Sequence, residues 1–151
     1  MKKTKKTKIR IMDVNKNNLE YINSEIKKNK KMVVVFVAHW CHHCQELLPK
    51  WNNVLNKIKN KKSNVIILTA SEEYMNQLNC DSDIRGFPTI RVLKGSKKIL
   101  DYGGPREEEH LTKFLLNHIK EKLIIKSRKK KKKERKKKRK LKSRKKRKKK
   151  T

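Results

Sequence analysis

Two cysteines three positions apart, Cys41 and Cys44, are the residues of this chain best suited to covalent chemistry. A pair at this spacing can cycle between dithiol and disulfide, because one sulfur attacks a substrate and the other resolves the mixed disulfide. Cys41 precedes a predicted helix, whose free amide groups and positive dipole end stabilise a thiolate. We therefore predict Cys41 as the nucleophile and Cys44, one turn into the helix, as the shielded resolving thiol.

Both positions between the cysteines are histidine, His42 and His43. An imidazole close to Cys41 favours its thiolate, which favours the reduced pair and makes the disulfide a better oxidant. For His42, the alternative is a solvated side chain with no redox role. A structural pair, or a metal site that adds a nearby histidine, is the alternative to redox chemistry. No metal is predicted, because adjacent residues in the first turn of a helix cannot all converge on one ion.

Two strongly patterned segments position the cysteine pair. Residues 32–37 are apolar at every position, which is typical of a strand covered on both faces. After the pair, apolar residues recur at helical spacing and predict a long amphipathic helix. Its apolar face comprises Cys44, Leu47, Leu48, Trp51, Val54, Leu55 and Ile58. Pro49 lies inside this helix and is expected to kink it.

The rest of the chain completes an α/β domain around this strand and helix. Further strands are predicted at residues 9–12, 65–69, 89–93 and 98–102, and further helices at residues 18–26, 72–78 and 106–125. The order βαβαβαββα implies a mixed sheet with helices on both faces, closed by an antiparallel hairpin. The working site of such a sheet lies beyond the carboxyl ends of its strands, where Cys41 falls.

Charge divides the chain into three parts. The 151 residues carry a net charge of +32, with the excess at the two ends. Residues 126–151 hold 21 Lys/Arg and one Glu, whereas residues 11–125 hold 19 basic and 13 acidic side chains. We predict a basic extension at residues 1–8, a folded domain at residues 9–125 and a disordered polybasic tail at residues 126–151.

The predicted tail requires a polyanionic partner: nucleic acid foremost, or else an anionic membrane or an acidic protein. It has no aromatic residues for base stacking, so its binding is expected to be independent of nucleotide sequence. Clusters of Lys and Arg like those in the tail are also typical of nuclear localisation signals. The cations assigned to polyanion binding are Lys129, Lys130, Lys131, Lys132, Lys133, Arg135, Lys136, Lys137, Lys138, Arg139, Arg144, Lys145, Lys146 and Arg147.

Landmarks along the chain resemble the thioredoxin superfamily. They are Trp40-Cys41-x-x-Cys44 after an apolar strand, Pro49 five residues further on, Gly86-Phe87-Pro88-Thr89 before a later strand, and Gly103-Gly104 before the last helix. His43 directly before the second cysteine, and Tyr102-Gly103-Gly104-Pro105-Arg106, resemble the catalytic domains of protein disulfide isomerases. The resemblance covers about residues 10–123 and implies a thioredoxin fold and thiol–disulfide exchange.

The resemblance assigns roles to further residues. Pro88 is expected to follow a cis peptide bond and to present the backbone of Phe87 to an extended substrate peptide. Trp40 is expected to shape the site rather than to react. Arg106, eighteen residues after Pro88, is expected to assist the ionisation of Cys44 by its charge. The alternative for Arg106 is a surface position at the start of a helix.

The resemblance also sets an expected redox character and exposes departures from the family. His43 is typical of oxidases and isomerases, which predicts a reduction potential near about −180 mV rather than the roughly −270 mV of thioredoxin. His42 replaces the usual glycine. Val35 stands six residues before the first cysteine, where the family has a buried Asp or Glu that accepts the proton of the second cysteine. Cys80 lies outside the motif and is predicted as a buried, inert thiol.

These observations predict a monomeric thiol–disulfide oxidoreductase of the oxidase or isomerase type, which needs no cofactor and acts on protein thiols and disulfides. The alternative, favoured by Val35, is a nucleic-acid-binding or packaging protein with little redox turnover. No segment has the roughly 18 apolar residues of a membrane span, and no secretory signal is recognised. The Lys-, Asn- and Ile-rich composition also resembles thioredoxin-like proteins of large DNA viruses, so a host cytoplasm or nucleus, or a virus particle, is expected.

Overall fold

The computed structural model of the chain describes residues 7–120. Most of the predicted N-terminal extension and the whole predicted tail lie outside the described residues, as do all the tail cations assigned to polyanion binding. The domain limits at residues 9 and 125 stay predictions.

Five strands form one mixed sheet in the order β1-β3-β2-β4-β5. They are β1 (Arg10–Asp13), β2 (Lys31–Val37), β3 (Ile66–Ser71), β4 (Thr89–Lys94) and β5 (Lys97–Asp101). β1 and β2 run parallel to β3, whereas β4 runs antiparallel to β2 and forms a hairpin with β5. This arrangement confirms the predicted mixed sheet, its closing hairpin and the central position of β2.

Four helices join the strands: α1 (Leu19–Lys27), α2 (His42–Ile58), α3 (Glu72–Met75) and α4 (Glu108–Ile119). The order of helices and strands is the predicted βαβαβαββα. α4 begins two residues later than predicted, and in the turn before it the Tyr102 hydroxyl donates to the carbonyl of Pro105 at 2.6 Å. The predicted end of this helix at residue 125 lies outside the described residues.

α3 is shorter than the predicted helix over residues 72–78. The chain leaves the helix to bind Asn23 of α1, whose side-chain amide donates to the carbonyl of Gln77 at 3.0 Å. The side-chain oxygen of Asn23 accepts the backbone N–H of Asn79 at 2.9 Å. Those two bonds satisfy backbone groups that lie beyond the end of the shortened helix.

The central strand β2 is buried along its whole length. Its residues alternate between two apolar clusters, with Val33, Val35 and Val37 in one and Met32, Val34 and Phe36 in the other. Trp51 of α2 and Leu115 of α4 cover the first cluster, and Ile22 and Ile26 of α1 cover the second. The prediction of helices on both faces of the sheet is therefore confirmed.

The apolar face predicted for α2 is also confirmed. Six of its members are buried, namely Cys44, Leu47, Trp51, Val54, Leu55 and Ile58, and Leu48 is half-buried. The helix continues through Pro49, which is exposed. α2 begins before Cys44 because Cys41 caps it, and this cap places the cysteine pair at the helix amino end.

Candidate active site

The dithiol lies where β2 ends and α2 begins. Cys41 is the N-cap residue of α2, with extended backbone angles, and its sulfur accepts the backbone N–H of Cys44 at 3.3 Å. The Cys41 thiol in turn donates to the carbonyl oxygen of Phe87 at 3.3 Å. Both cysteines are free thiols. The structure thus places Cys41 against the helix amino end, as predicted from the sequence.

Cys44 lies deeper than Cys41. Their exposed fractions are 1% and 6%. Burial, together with the hydrogen bond and charge of Cys41, raises the pKa of Cys44 to about 11, while the Arg106 guanidinium acts in the opposite direction. Cys44 is therefore a protonated thiol at neutral pH. Arg106 is itself exposed, and its charge acts on Cys44 in the direction that the family resemblance implies.

The two histidines between the cysteines point to solvent. His42 Nε2 lies 3.0 Å from one carboxylate oxygen of Glu46, and His43 Nδ1 lies 3.9 Å from the other. The imidazoles also lie beside each other, with ring centroids 6.2 Å apart. Within residues 7–120 neither ring hydrogen-bonds to a thiol, so any effect on Cys41 acts through space. Glu46 was not predicted as a site residue, although its i+3 and i+4 spacing from the histidines was a usable signal.

Phe87 contacts the Cys41 thiol through its carbonyl, and Trp40 packs on the ring of Phe87. The Phe87–Pro88 peptide bond is cis, as the family resemblance implies. Trp40 is 71% exposed, and its indole packs edge-to-face on Phe87 with ring centroids 5.9 Å apart. The indole N–H donates to both carboxylate oxygens of Glu72 at 3.1 Å. This arrangement leaves an apolar ring surface beside the reactive sulfur.

Arg91 of β4 forms hydrogen bonds that hold in place the segment leading to Phe87. It is buried, and its guanidinium donates to the Asp101 carboxylate at 2.7 and 3.1 Å. It also donates to the carbonyls of Asp81 and Asp83 at 2.9 and 3.0 Å. The hydrogen bond from Arg91 holds the pKa of the Asp101 carboxyl below its ordinary value. Sequence reasoning missed this role, although a single cation inside an apolar strand was the available signal.

The wall beneath Cys44 is apolar. Val35 is fully buried in the same cluster as Cys44 and pairs in the sheet with Thr69 and Ile90. Among residues 7–120, the groups that shift the pKa of Cys44 include no carboxylate. The proton acceptor that the family keeps at this position is therefore replaced by a hydrocarbon side chain.

Cys80 lies outside the site, in the segment between α3 and β4. It is half-buried rather than fully buried. Burial raises the pKa of its thiol to about 11, with the charge of Asp81 acting in the same direction and that of Arg91 opposing it. A thiol with so raised a pKa is a poor nucleophile at neutral pH, which agrees with the predicted inert role.

Neither a metal centre nor a membrane span is found in the part of the chain that the structure describes. Residues 7–120 contain no group of three or more His, Cys, Asp and Glu that could hold a metal ion. No helix in that range is long and apolar enough to cross a bilayer.

The structure combines a mixed α/β sheet, a dithiol at the amino end of a helix and a cis-proline segment that faces it. This combination defines a class of domain that carries out thiol chemistry. The sequence pattern of the thioredoxin family matches residues 6–117, and the chain belongs to that family. Its fold is the thioredoxin fold, as predicted. The thioredoxin NaTrxh from Nicotiana alata superposes with a TM-score of 0.54 at 22% identity, over 78% of this chain and 100% of that chain.

Similar sequences include protein disulfide isomerases. The chain is 36% identical over 93 residues to a protein disulfide-isomerase of Medicago sativa, which covers 60% of this chain and 18% of that protein. It is 35% identical over 107 residues to a probable protein disulfide-isomerase ER-60 of Schistosoma mansoni, which covers 70% of this chain and 21% of that protein. The chain therefore spans about a fifth of the length of these relatives.

Proposed function

We propose that this protein is a thiol–disulfide oxidoreductase of the oxidase or isomerase type. The observation that carries the proposal is the position of the Cys41 sulfur, which caps α2 and contacts the Phe87 carbonyl while Cys44 lies buried beneath it. The Cys41 thiol is thus placed to react with a substrate, whereas the Cys44 thiol is placed to react only with Cys41. The similarity to protein disulfide isomerases supports the same activity.

The reaction proceeds in two exchanges. The Cys41 thiolate attacks one sulfur of a substrate disulfide, a new S–S bond forms, and the other substrate sulfur leaves as a thiolate that takes a proton from water. Cys44 then loses its proton and attacks the Cys41 sulfur, which releases the second substrate thiol. The substrate gains two electrons and the Cys41–Cys44 pair becomes a disulfide. Run in reverse, the same steps oxidise a substrate dithiol and return the pair to the dithiol state.

The surface around Cys41 suits an extended polypeptide substrate. Trp40 and Phe87 offer apolar rings for side chains, while the backbone of Phe87 and Pro88 lies beside the attacking sulfur. Pairing of a substrate strand with this backbone is the mode of recognition that we propose. Glu72 orients the indole of Trp40 through its hydrogen bonds, and so acts as a positioning residue for this surface.

We further propose that the basic tail holds the enzyme near a polyanion, of which nucleic acid is the foremost candidate. The 21 Lys/Arg among residues 126–151 support this proposal. A monomer acting in the cytoplasm or nucleus of a host cell, or in a virus particle, stays a prediction of the sequence.

The reduction potential of the Cys41–Cys44 pair tests the redox type. It is measured by equilibrating the full-length protein in glutathione buffers and trapping free thiols, with Cys44→Ser as the variant that cannot close the disulfide. We expect about −180 mV, the isomerase range. A value near the roughly −270 mV of thioredoxin would instead make the protein a reductant. Absence of a reversible two-electron couple would contradict the redox proposal and favour the packaging alternative.

A further inference from the structure

The two ends of the sheet differ in chemistry. β2 delivers the dithiol at its carboxyl end, so its first residue, Lys31, marks the opposite end. β1 and β3 run parallel to β2 and begin at that same opposite end, whereas β4 finishes there and β5 starts from it. The turns at that end are therefore separated from Cys41 by the length of the sheet.

Backbone contacts hold these turns together. Lys8 and Lys62 form an isolated antiparallel bridge, and the N–H of Ile9 donates to the carbonyl of Lys61 at 2.9 Å. The N–H of Gly95 donates to the carbonyl of Lys30 at 2.9 Å, which joins the β4–β5 turn to the α1–β2 turn. Gly95 has a φ of +59°, and a Cβ there would lie 2.6 Å from Asn29 Oδ1. The left-handed backbone and the close approach of Asn29 favour glycine at this position.

Six lysines on these turns form a surface that we call the basic end. They are Lys8, Lys30, Lys61, Lys62, Lys94 and Lys97; Lys30 is half-buried and the others are exposed. None of them forms an ion pair with an acidic side chain of residues 7–120. Their charges therefore face solvent and are not neutralised by acidic side chains of residues 7–120.

Two acidic residues near the basic end, Glu25 and Asp81, have partners within the fold. Glu25 is buried and lies 3.6 Å from Arg10 and 3.3 Å from Lys28. Asp81 accepts the backbone N–H of Lys98 at 3.0 Å. The six lysines outnumber these two carboxylates, so the basic end keeps a net positive charge, and an anion of high charge density is the ligand it favours.

The dimensions of the basic end favour a long polyanion. Neighbouring strands lie about 4.8 Å apart, so the five strand ends form a row roughly 19 Å long. Duplex DNA carries one phosphate charge per about 1.7 Å of its axis when both strands are counted, so a row of that length spans on the order of ten phosphates.

The side chains between the lysines favour nucleic acid over a membrane. Asn29, Asn60 and Ser96 are exposed there, and such side chains hydrogen-bond to phosphates in complexes with nucleic acids. Surfaces that insert into lipid carry several Trp, Phe or Leu beside their cations. Ile99 on β5, 46% exposed, is a single apolar side chain next to these turns and offers little insertion.

We propose that the basic end binds the phosphate backbone of nucleic acid without reading its sequence. This proposal extends to the folded domain the polyanion binding proposed above for the tail, and it is independent of the redox proposal. Because the basic end lies opposite Cys41, a bound nucleic acid leaves the dithiol accessible to protein substrates. Together with the redox activity proposed above, this placement allows disulfide exchange on the bound polyanion.

The test compares two full-length variants with the same change in net charge. The first replaces Lys61, Lys62, Lys94 and Lys97 by glutamine. The matched control replaces Lys16, Lys50, Lys57 and Lys113, which lie outside the basic end. Binding to a duplex DNA of arbitrary sequence is followed by fluorescence anisotropy across a salt series, after circular dichroism has established that both variants are folded.

We expect the basic-end variant to lower the steepness of the plot of log binding constant against log salt concentration by about 3 to 4, because each phosphate contact contributes about 0.9. The control should change it by less than about 1. Equal slopes in the two variants would overturn the proposal. Preferential binding of the wild type to phosphatidylserine vesicles, lost only in the basic-end variant, would overturn it in favour of a membrane.

A third variant separates the basic end from the tail. It replaces Arg144, Lys145, Lys146 and Arg147 by glutamine in the full-length protein. A lower slope in this variant alone supports the tail proposal and overturns the basic-end proposal. Lower slopes in both this variant and the basic-end variant support both surfaces.

Discussion

We expect replacement of Cys41 by serine to abolish disulfide exchange, and replacement of Cys44 by serine to convert the protein into a trap that stays covalently joined to its substrates. The two variants should differ because the two sulfurs lie at different depths below the surface. The Cys41 sulfur contacts the Phe87 carbonyl beside the exposed Trp40, while Cys44 is 1% exposed and lies below it. Without Cys44, the mixed disulfide on Cys41 has no internal thiol to resolve it.

The measurement is the amount of mixed disulfide that survives alkylation and non-reducing electrophoresis after incubation with an oxidised model protein. Cys44→Ser should accumulate the adduct, and Cys41→Ser should form none. Cys80→Ser is the matched control and should retain the exchange rate of the wild type, because the pKa of that thiol is raised to about 11 and it lies outside the site. Turnover by Cys41→Ser, or an adduct through Cys80, would contradict the assignment.

The sequence predicted best what depends on local periodicity. The apolar face of α2 repeats at helical spacing over residues 44–58, and the uninterrupted apolar run of β2 requires cover on both faces, so both elements could be placed without knowing their neighbours. The position of the dithiol could then be predicted, because it lies between β2 and α2. The start of α2 directly after Cys41 was also as predicted, although a cysteine sulfur supplies the cap there rather than a usual capping oxygen.

The sequence could not predict partners that meet only in the fold. Trp40 and Glu72 are 32 residues apart, and their hydrogen bonds exist because β2 and β3 are parallel neighbours. Arg91 meets Asp101 through the β4–β5 hairpin. Such pairs depend on register and loop path, which single-residue patterns do not encode, and so two positioning residues of the site emerged only from the structure.

The early end of α3 has the same origin. Local propensity over residues 72–78 favours a helix, but Asn23, 54 residues before Gln77, offers hydrogen bonds that compete with it. A tertiary contact of this kind outweighs a weak local preference, especially in a helix of one turn. The segment beyond it is thereby directed along the β4–β5 hairpin, where Arg91 holds it and delivers Phe87 to Cys41.

Replacement of Val35 by glutamate is expected to speed the resolving step by roughly 100-fold at neutral pH, the lower range of general-base catalysis. In the wild type, burial raises the pKa of the Cys44 thiol and its wall is apolar, so its thiolate must form by proton loss to water. The rate of resolution should then rise about tenfold per pH unit below the pKa of Cys44 in the mixed disulfide. A carboxylate at position 35 supplies an acceptor inside the wall and flattens this dependence.

The experiment follows release of substrate from the Cys41 mixed disulfide by stopped-flow fluorescence between pH 6 and pH 10. Val35→Gln is the matched control, because it places a polar group of the same size in the wall but cannot accept the proton. Burying either side chain at this fully buried position should lower the free energy of unfolding by about 3 kcal/mol, so both variants are compared after their stability has been measured. Acceleration by glutamate alone identifies the missing proton acceptor as the cause of slow resolution in the wild type. Equal rates in the two variants would show instead that access to the buried sulfur limits the step, and that the apolar wall at Val35 keeps mixed disulfides long-lived by shielding Cys44 rather than by withholding a base.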